Sequence, residues 1–341
     1  MLKQRTTIRD IAKALSLSTS TVSRALADRW DVNPETRKAV LELAEKLHYY
    51  PNPVSLNLKR RQTFSVGVVI PEFINSFFSE VIMGIQSVLE PCGYQVLISQ
   101  SNESSETELK NLKALESKMV DGFIISISKE TNDVTYFEHL IETQIPVAFF
   151  NRIDKRLPAS NVIIDDYKWS FLVTEHLIGQ GCRRIAHLAG PTNLDIAKNR
   201  LHGYVDALDK HNIPKDENLI IPCGLLMENG ILGAMKLLEL PQLPDGIFAV
   251  NDPTAIGAMQ TLKKNGIKIP EGMAVAGFTE TKSAVIIEPN LTTVEQPTYE
   301  MGKTAAELLL EQITADSETP RRTVVLEAKL NIRESSIKKH G

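Results

Sequence analysis

A chain of 341 residues has room for two or three domains and a large core, and its 43% apolar share marks it as globular rather than disordered. No apolar run approaches the roughly 20 residues that span a bilayer, and the opening MLKQRTT lacks the apolar segment of a secretory signal. The net charge of −4 does not by itself suggest nucleic acid, but residues 1–62 hold twelve Lys and Arg against six Asp and Glu, about +6, leaving about −10 for the rest. A basic head on an acidic body suits phosphate binding by the head alone, although a solvated basic helix face would give the same charge. The three cysteines, Cys92, Cys182 and Cys223, form no C-x-x-C pair, so reduced thiols in a cytoplasm are expected.

The first pattern is TIRDIAKALSLSTSTVSRALA, Thr7–Ala27. Ile8, Ile11, Ala12 and Leu15 recur at the spacing of one helical face. Ser16-Leu17-Ser18 interrupts the run, and Ser18 is a good N-cap for a second helix because its hydroxyl accepts an orphan N–H of the first turn. In that helix Val22, Ala25 and Leu26 share one face, while Thr19, Ser20, Ser23 and Arg24 share the other. Two short helices around a tight turn, the second presenting small hydroxyls and an arginine, form a helix-turn-helix pattern. Arg24 can reach guanine, and the hydroxyls can meet donor or acceptor edges. An ordinary helical hairpin is the competing reading of these residues alone.

Asn33 and Pro34 write an N-cap and N1 for a third helix. Its stripe of Ala39, Val40, Leu43, Ala44 and Leu47 is expected to close over the first two helices. Asn52 and Pro53 start a further helix of barely two turns, too short to be stable without a partner. It is expected to be a hinge, ordering on a surface and melting off it.

From Phe64 the pattern turns to short apolar runs alternating with amphipathic helices: FSVGVVI, YQVLIS, GFIISI and PVAFF, then NVIID, RIAHLAG, LIIP, GIFAV, MAVAGF and LTTVEQ, with a last strand at Thr323–Ala328. Near-continuous apolar strands separated by helices imply parallel sheets covered on both faces. The expected fold is α/β, with two doubly wound parallel-sheet lobes and a ligand cleft at the carboxyl ends of their strands. Asp165 and Asp166 sit at one such strand end, where at least one is expected to cap the helix beginning at Tyr167.

Catalysis is not expected. G-x-S-x-G, the P-loop and H-E-x-x-H are missing from the sequence, and His139, His176, His187, His202 and His211 share no metal spacing. No metal and no cofactor are therefore expected.

Taken together, the chain resembles the LacI/GalR (lactose-repressor type) family of bacterial transcription regulators. The matching blocks lie in order: TIRDIAKALSLSTSTVSRAL, NPETRKAVLELAEKLHYYPNPVSLNLK, SVGVVIPEFINSFFSEVIMGI, DGFIIS, VAFFNR, VIIDD, HLIGQGCRRIAHLAGP, NRLHGY, FAVNDPTAIGAM, VAGF and LTTVEQP. The resemblance implies an all-α headpiece over residues 1–50 and a hinge helix over 51–62. It further implies a periplasmic-binding-protein-like effector and dimerisation core over 63–335. The N-lobe is expected at about 63–151 with 279–297, and the C-lobe at about 161–278 with 323–332.

By the same resemblance, a homodimer binds a pseudo-palindromic operator in double-stranded DNA. Thr19, Ser20 and Arg24 match base-reading positions. Thr7, Thr21, Ser23, Asn33, Thr36, Tyr49 and Asn52 match positions that touch phosphates. Leu58, with Lys59 beside it, matches the hinge leucine that wedges into the minor groove and kinks the duplex. Ser55 and Leu56 depart from the Ala and Arg that many members carry there. Met83 and the run Val285-Ile286-Ile287 are the expected dimer faces.

The implied effector is a sugar or sugar derivative, held by Phe77, Phe78, Ser126, Asn151, Arg200, Leu225, Asn251, Thr279 and Gln296. Phe77 and Phe78 can stack on a ring or simply fill the core. Arg200, in NRLHGY, suits a carboxylate, a phosphate or vicinal hydroxyls. Asn151 and Thr279 stand where many sugar-binding members have aspartates, which removes two bidentate acceptors for hydroxyls. A purine effector, a protein co-regulator or action as an activator are the alternatives within the family. A transport receptor sharing the core, or an enzyme with a DNA-binding head, are the alternatives outside it. The basic head argues against the first and the missing phosphate loop against the second.

Overall fold

The structure, a computed structural model, describes residues 6–47, 49, 62–74, 76–315, 317 and 319–338. The chain divides into two compact units, Met1–Thr63 and Phe64–Gly341. Of the expected hinge at 51–62, residues 51–61 lie outside the described residues.

The first unit is built on α1 (Ile8–Ala14), α2 (Thr19–Leu26) and α3 (Pro34–Lys46). Asp10 reaches back to accept the Thr7 backbone N–H at 2.8 Å and so fixes the start of α1. The chain leaves α1 through Ser16, whose φ of 52° turns it sharply toward α2. Ser18 caps α2 by accepting the Thr21 N–H at 3.0 Å, and Asn33 caps α3 by accepting from Glu35. Ile11, Ala12, Val22, Ala25, Val40 and Ala44 are the buried centre of the bundle. Each lies at a helical position that faces the other two helices, so one small core holds all three.

The second unit carries two parallel sheets. The first has the order β11-β5-β4-β3-β1-β2, formed by β1 (Ser65–Ile70), β2 (Gln95–Gln100), β3 (Gly122–Ile125), β4 (Val147–Phe150), β5 (Ser160–Ile164) and β11 (Thr323–Leu326). Helices α4 (Ser76–Leu89), α5 (Ser105–Ser117), α6 (Thr135–Glu142) and α11 (Thr298–Thr314) belong to this lobe. α4 and α11 approach so closely that a Cβ on Gly84 would lie 2.0 Å from the Tyr299 carbonyl oxygen, and one on Gly302 would lie 1.9 Å from that of Val81. The second sheet has the order β7-β6-β8-β9, from β6 (Ile185–Ala189), β7 (Ile220–Pro222), β8 (Gly246–Ala249) and β9 (Ala274–Ala276). It is covered by α7 (Asp166–Gly179), α8 (Asp195–Lys210), α9 (Met227–Leu238) and α10 (Asp252–Lys264). A short antiparallel ribbon pairs β10 (Thr293–Glu295) with β12 (Lys329–Asn331).

The lobe limits differ from the sequence expectation. The strand at Asn161–Asp165 and the strand beginning at Thr323 were both assigned to the C-lobe. Instead, β5 pairs with β4 in register Ala148↔Ser160, and β11 pairs with β5 in register Thr323↔Asn161. Both extend the first sheet. The physical reason is that α11 packs on β3, β4 and β5, so the chain that follows it returns to that sheet edge. The segment around Leu291–Gln296 was assigned to the N-lobe, but its strand β10 forms the ribbon with β12 and packs beside α7. The chain thus crosses between lobes after β5, after β10 and after β11.

Among the described residues, no helix is long and apolar enough to cross a membrane. The apolar side chains of Met83, Val285 and Ile286 are exposed, at 59%, 51% and 76%.

Candidate nucleic-acid interface and ligand cleft

On the first unit, α2 buries Val22 and Ala25 and leaves Thr19, Ser20, Ser23 and Arg24 exposed. Its outer face is therefore polar, with small hydroxyls and a single long side chain, Arg24, which suits entry into a major groove. Arg24 is not idle: its Nη1 donates to Asp31 at 3.0 Å. The Ser18 hydroxyl lies 2.7 Å from that of Ser20 and 2.8 Å from that of Thr21, so the start of α2 is a connected set of hydroxyls.

The residues matched to phosphate contacts surround this face. Thr7 donates its hydroxyl to Asp10, and Asn33 is engaged as the α3 cap. Thr36 and Tyr49 are half-buried. Burial pushes the Tyr49 phenol above its ordinary value, so it stays a neutral hydroxyl that can donate. Asn52, Leu58 and Lys59 lie outside the described residues.

In the second unit, one cavity opens between the lobes. It is lined by Phe77, Phe78, Asn151, Arg152, Ile196, Arg200, Leu225, Asn251, Thr279 and Gln296. Eight of the nine residues expected from the sequence thus meet around one space. Ser126 is the exception: it is buried with a hydroxyl that has no partner among the described residues, but it is not part of the wall. The cavity offers about 40 Å³, close to one water's share of liquid volume and far below the ~300 Å³ of small-molecule pockets. The lobes are closed on each other. Asn193, after β6, donates its amide to the Lys129 carbonyl of the other lobe, and Lys155 lies 3.9 Å from Asp195.

Arg200 is fixed from three sides. Its Nε donates to Asp166 at 2.8 Å, its Nη1 donates to the Val250 carbonyl at 2.6 Å, and its Nη2 lies 2.7 Å from Asp166. Its guanidinium carbon sits 3.7 Å from the Phe278 ring centroid, a cation–π contact. Arg200 and Asp166 are 2% and 5% exposed, which makes this a buried pair and not a surface salt bridge. Burial pushes the Asp166 carboxyl up, and the charge of Arg200 opposes that shift. Asp165 alone caps α7, accepting the Lys168 N–H at 2.9 Å.

The other lobe supplies Arg152, which sequence reasoning passed over although it follows Asn151 directly. Its Nη1 donates to both Glu103 oxygens at 2.8 Å. Its Nε is buried and has no partner among the described residues. Glu103 also accepts the Lys129 N–H at 2.8 Å, so one carboxylate holds both Arg152 and the loop that meets the opposite lobe.

The polar wall is otherwise partly committed. Asn251 caps α10 by accepting the Thr254 N–H and donates to the Leu225 carbonyl. Gln296 donates to the Thr279 hydroxyl at 3.2 Å, while its Oε1 is buried without a partner among the described residues. Phe77 and Phe78 meet edge to face at 5.0 Å and belong to the first lobe's core as well as to the wall. The two rings therefore fill the core and also form part of the wall.

Asp252 anchors a crossing point beneath the cavity. It accepts from the Thr281 N–H and the Thr293 hydroxyl, each at 2.6 Å, and burial pushes its carboxyl up to about 7. Among the described residues, no group of His, Cys, Asp and Glu could hold a metal ion.

Residues 7–52 match the family model of bacterial regulatory proteins of the lacI family. Residues 63–333 match that of periplasmic binding proteins and the sugar binding domain of the LacI family. The chain is 34% identical to the HTH-type transcriptional regulator DegA of Bacillus subtilis (strain 168), over 87% of this chain and 88% of that one. It is 34% identical to the HTH-type transcriptional repressor CytR of Escherichia coli (strain K12), over 91% of each. A solved complex of the transcriptional regulator CelR with cellobiose superposes with a TM-score of 0.74 at 30% identity, covering 97% of this chain and all of that one.

Proposed function

The chain belongs to the LacI family of DNA-binding transcription regulators, and from that premise we propose that it is a dimeric repressor whose operator affinity is set by a small sugar-like effector in the cleft. The observation that carries the reading is the division of labour between the two units. A slim polar helix face with Arg24 stands on a basic bundle, and a closed cavity with a pre-fixed Arg200 stands in an acidic body.

In this reading Thr19, Ser20 and Arg24 of α2 meet base edges. Thr7, Thr21, Ser23, Asn33, Thr36, Tyr49, Asn52 and Lys59 meet phosphates, and Leu58 wedges between base pairs at the operator centre. Residues 1–50 act as headpiece, 51–62 as hinge and 63–335 as core. The exposed Met83 and the Val285-Ile286-Ile287 run supply the apolar faces on which a second copy docks. Closure of the core lobes around the effector changes the spacing of the two hinge starts. The ligand then has different affinities for the DNA-competent and DNA-incompetent states, as any allosteric coupling requires.

A protein co-regulator has no specific feature of the cleft in its favour. The CelR complex is that of a sugar with a similar core, which supports the sugar-like class here. Selection of operator sites from random duplexes, followed by light scattering, tests the reading. The expected result is a pseudo-palindromic site bound at dimer mass. Selection of an asymmetric site, or a tetramer in dilute solution, contradicts it.

A further inference from the structure

Resting on that reading of the cleft, we infer that the effector is an anion, a carboxylate or phosphate on a hydroxylated body, gripped between Arg152 of one lobe and Arg200 of the other.

The inference starts from the donors. A guanidinium carries five N–H groups. Arg200 directs three of them to Asp166 and Val250, which leaves one on each terminal nitrogen. Arg152 spends Nη1 on Glu103 and keeps a buried Nε–H with no partner among the described residues. Arg152 is 6% exposed and Arg200 is 2% exposed, so water does not serve these groups freely. A buried donor left unmade costs about 1–3 kcal/mol, and such groups call for an acceptor.

The acceptors of the wall cannot fill that role. Among the described residues, the lining holds no carboxylate. Glu103 and Asp166 each sit behind one arginine and hold it in place. Asn151 and Thr279, which line the cavity, are both neutral. A neutral sugar offers hydroxyls that both donate and accept, and here its donors would find few partners. One is the unpartnered Gln296 Oε1, which suits a single hydroxyl. The wall sets two arginine forks against the neutral oxygens of Asn151, Asn251, Thr279 and Gln296, with no carboxylate among the described lining residues, and that excess of cationic donors is the complement of a hydroxy acid or a sugar phosphate.

The placement explains closure too. Arg152 follows β4 in the first lobe, and Arg200 lies on α8 in the second. Bringing both cations to one small cavity is unfavourable by itself. An anion between them replaces that repulsion with charge-assisted hydrogen bonds to both lobes. Those bonds form together only when both lobes reach the same ligand, so the anion holds the lobes to one another around a space wider than the cavity of about 40 Å³.

The test is titration calorimetry and thermal unfolding of the full chain with matched ligands: glucose, glucuronate and glucose 6-phosphate, then galactose and galacturonate. The expected result is that an anionic member binds at least a hundredfold more tightly than the neutral sugar of the same ring. The glucuronate and glucose 6-phosphate arms separate carboxylate from phosphate. Asn151→Asp, isosteric and compatible with the φ of 58° at that position, should weaken anion binding at least tenfold while the ligand-free melting temperature holds. Arg152→Lys, which keeps a positive charge beside Glu103 and removes the fork, should weaken anion binding by a similar factor.

A neutral sugar that binds as tightly as its acid overturns the anion and leaves the cleft as effector site. Anion binding unmoved by both variants puts the anion elsewhere and also overturns it. If no member binds, the anion proposal fails. If, in addition, none of them shifts operator affinity, the effector reading of the cleft fails with it.

Discussion

Arg24 and Asp31 form an ion pair at 3.0 Å, so the headpiece arginine best placed to reach a guanine is already engaged by a carboxylate just beyond its own helix. Both side chains are substantially exposed, at 51% and 36%. Such pairs contribute about 0–1 kcal/mol, which lets a base compete successfully for the guanidinium while keeping the side chain extended in the free protein.

Arg24→Ala is therefore expected to weaken operator binding by about 1–3 kcal/mol, the worth of a bidentate base contact, and random-sequence binding far less. Asp31→Asn should strengthen binding to both by up to about fivefold, the limit set by a surface pair of ~1 kcal/mol. Gel shifts on operator and random duplexes measure both. Equal losses for Arg24→Ala on the two DNAs would make it a phosphate contact only.

A second expectation concerns pH. Glu108 is buried, and desolvation pushes its carboxyl up to about 7, against the opposing hydrogen bonds from the Thr131 hydroxyl and the Ser128 N–H. The folded state thus holds a proton that the unfolded chain has released. Stability from this group is full below the ordinary carboxyl range and is lost as pH rises toward 7. Asp252 has the same sign. Glu108→Gln keeps an oxygen for Ser128 and offers an N–H to Thr131. Denaturant unfolding between pH 4.5 and pH 7.5 should show a shallower decline in the variant than in the wild type. Parallel curves would mean that Glu108 ionises in the folded state as it does in water.

The hinge gives a third expectation. Leu58→Ala should lose operator affinity and DNA bending together, because unstacking a base step costs a few kcal/mol that only the bent complex returns. Ligand affinity of the DNA-free protein should not change. Circular-permutation gel shifts read the bend. Wild-type bending by Leu58→Ala would turn attention to Leu56.

The helices of the headpiece were legible because capping residues and apolar periodicity agree. Ser18 and Asn33 cap where the sequence places them, and the faces of α2 divide as the pattern says. The alternation of strands and helices was equally plain. Lobe membership was not, since β5 and β11 are apolar strands like their neighbours and nothing in their periodicity says which sheet edge they join. In the cleft, the resemblance drew attention to Asn151 and passed over Arg152, because adjacent loop residues do not announce which side chain turns inward. Likewise Asp165 and Asp166 look alike in sequence, yet one caps a helix and the other holds Arg200 from a distant turn of chain. Ser126 ends a strand beside the cleft but falls short of its wall, a difference of depth that sequence does not carry.

The account stands most directly on the coupling between the cleft and the operator. Arg200→Ala would strand Asp166 as an unpaired buried charge, a change worth about 3–5 kcal/mol in its own right. Arg200→Lys keeps the charge beside Asp166 and removes the fork. Operator affinity of wild type and Arg200→Lys should be measured by fluorescence anisotropy across a titration of the ligand that calorimetry identifies. The prediction is that operator affinity of the wild type changes at least tenfold on saturation. The variant should match it without ligand and need at least tenfold more ligand to respond. A variant that responds at wild-type ligand concentrations would contradict the assignment of the cleft as the site of control.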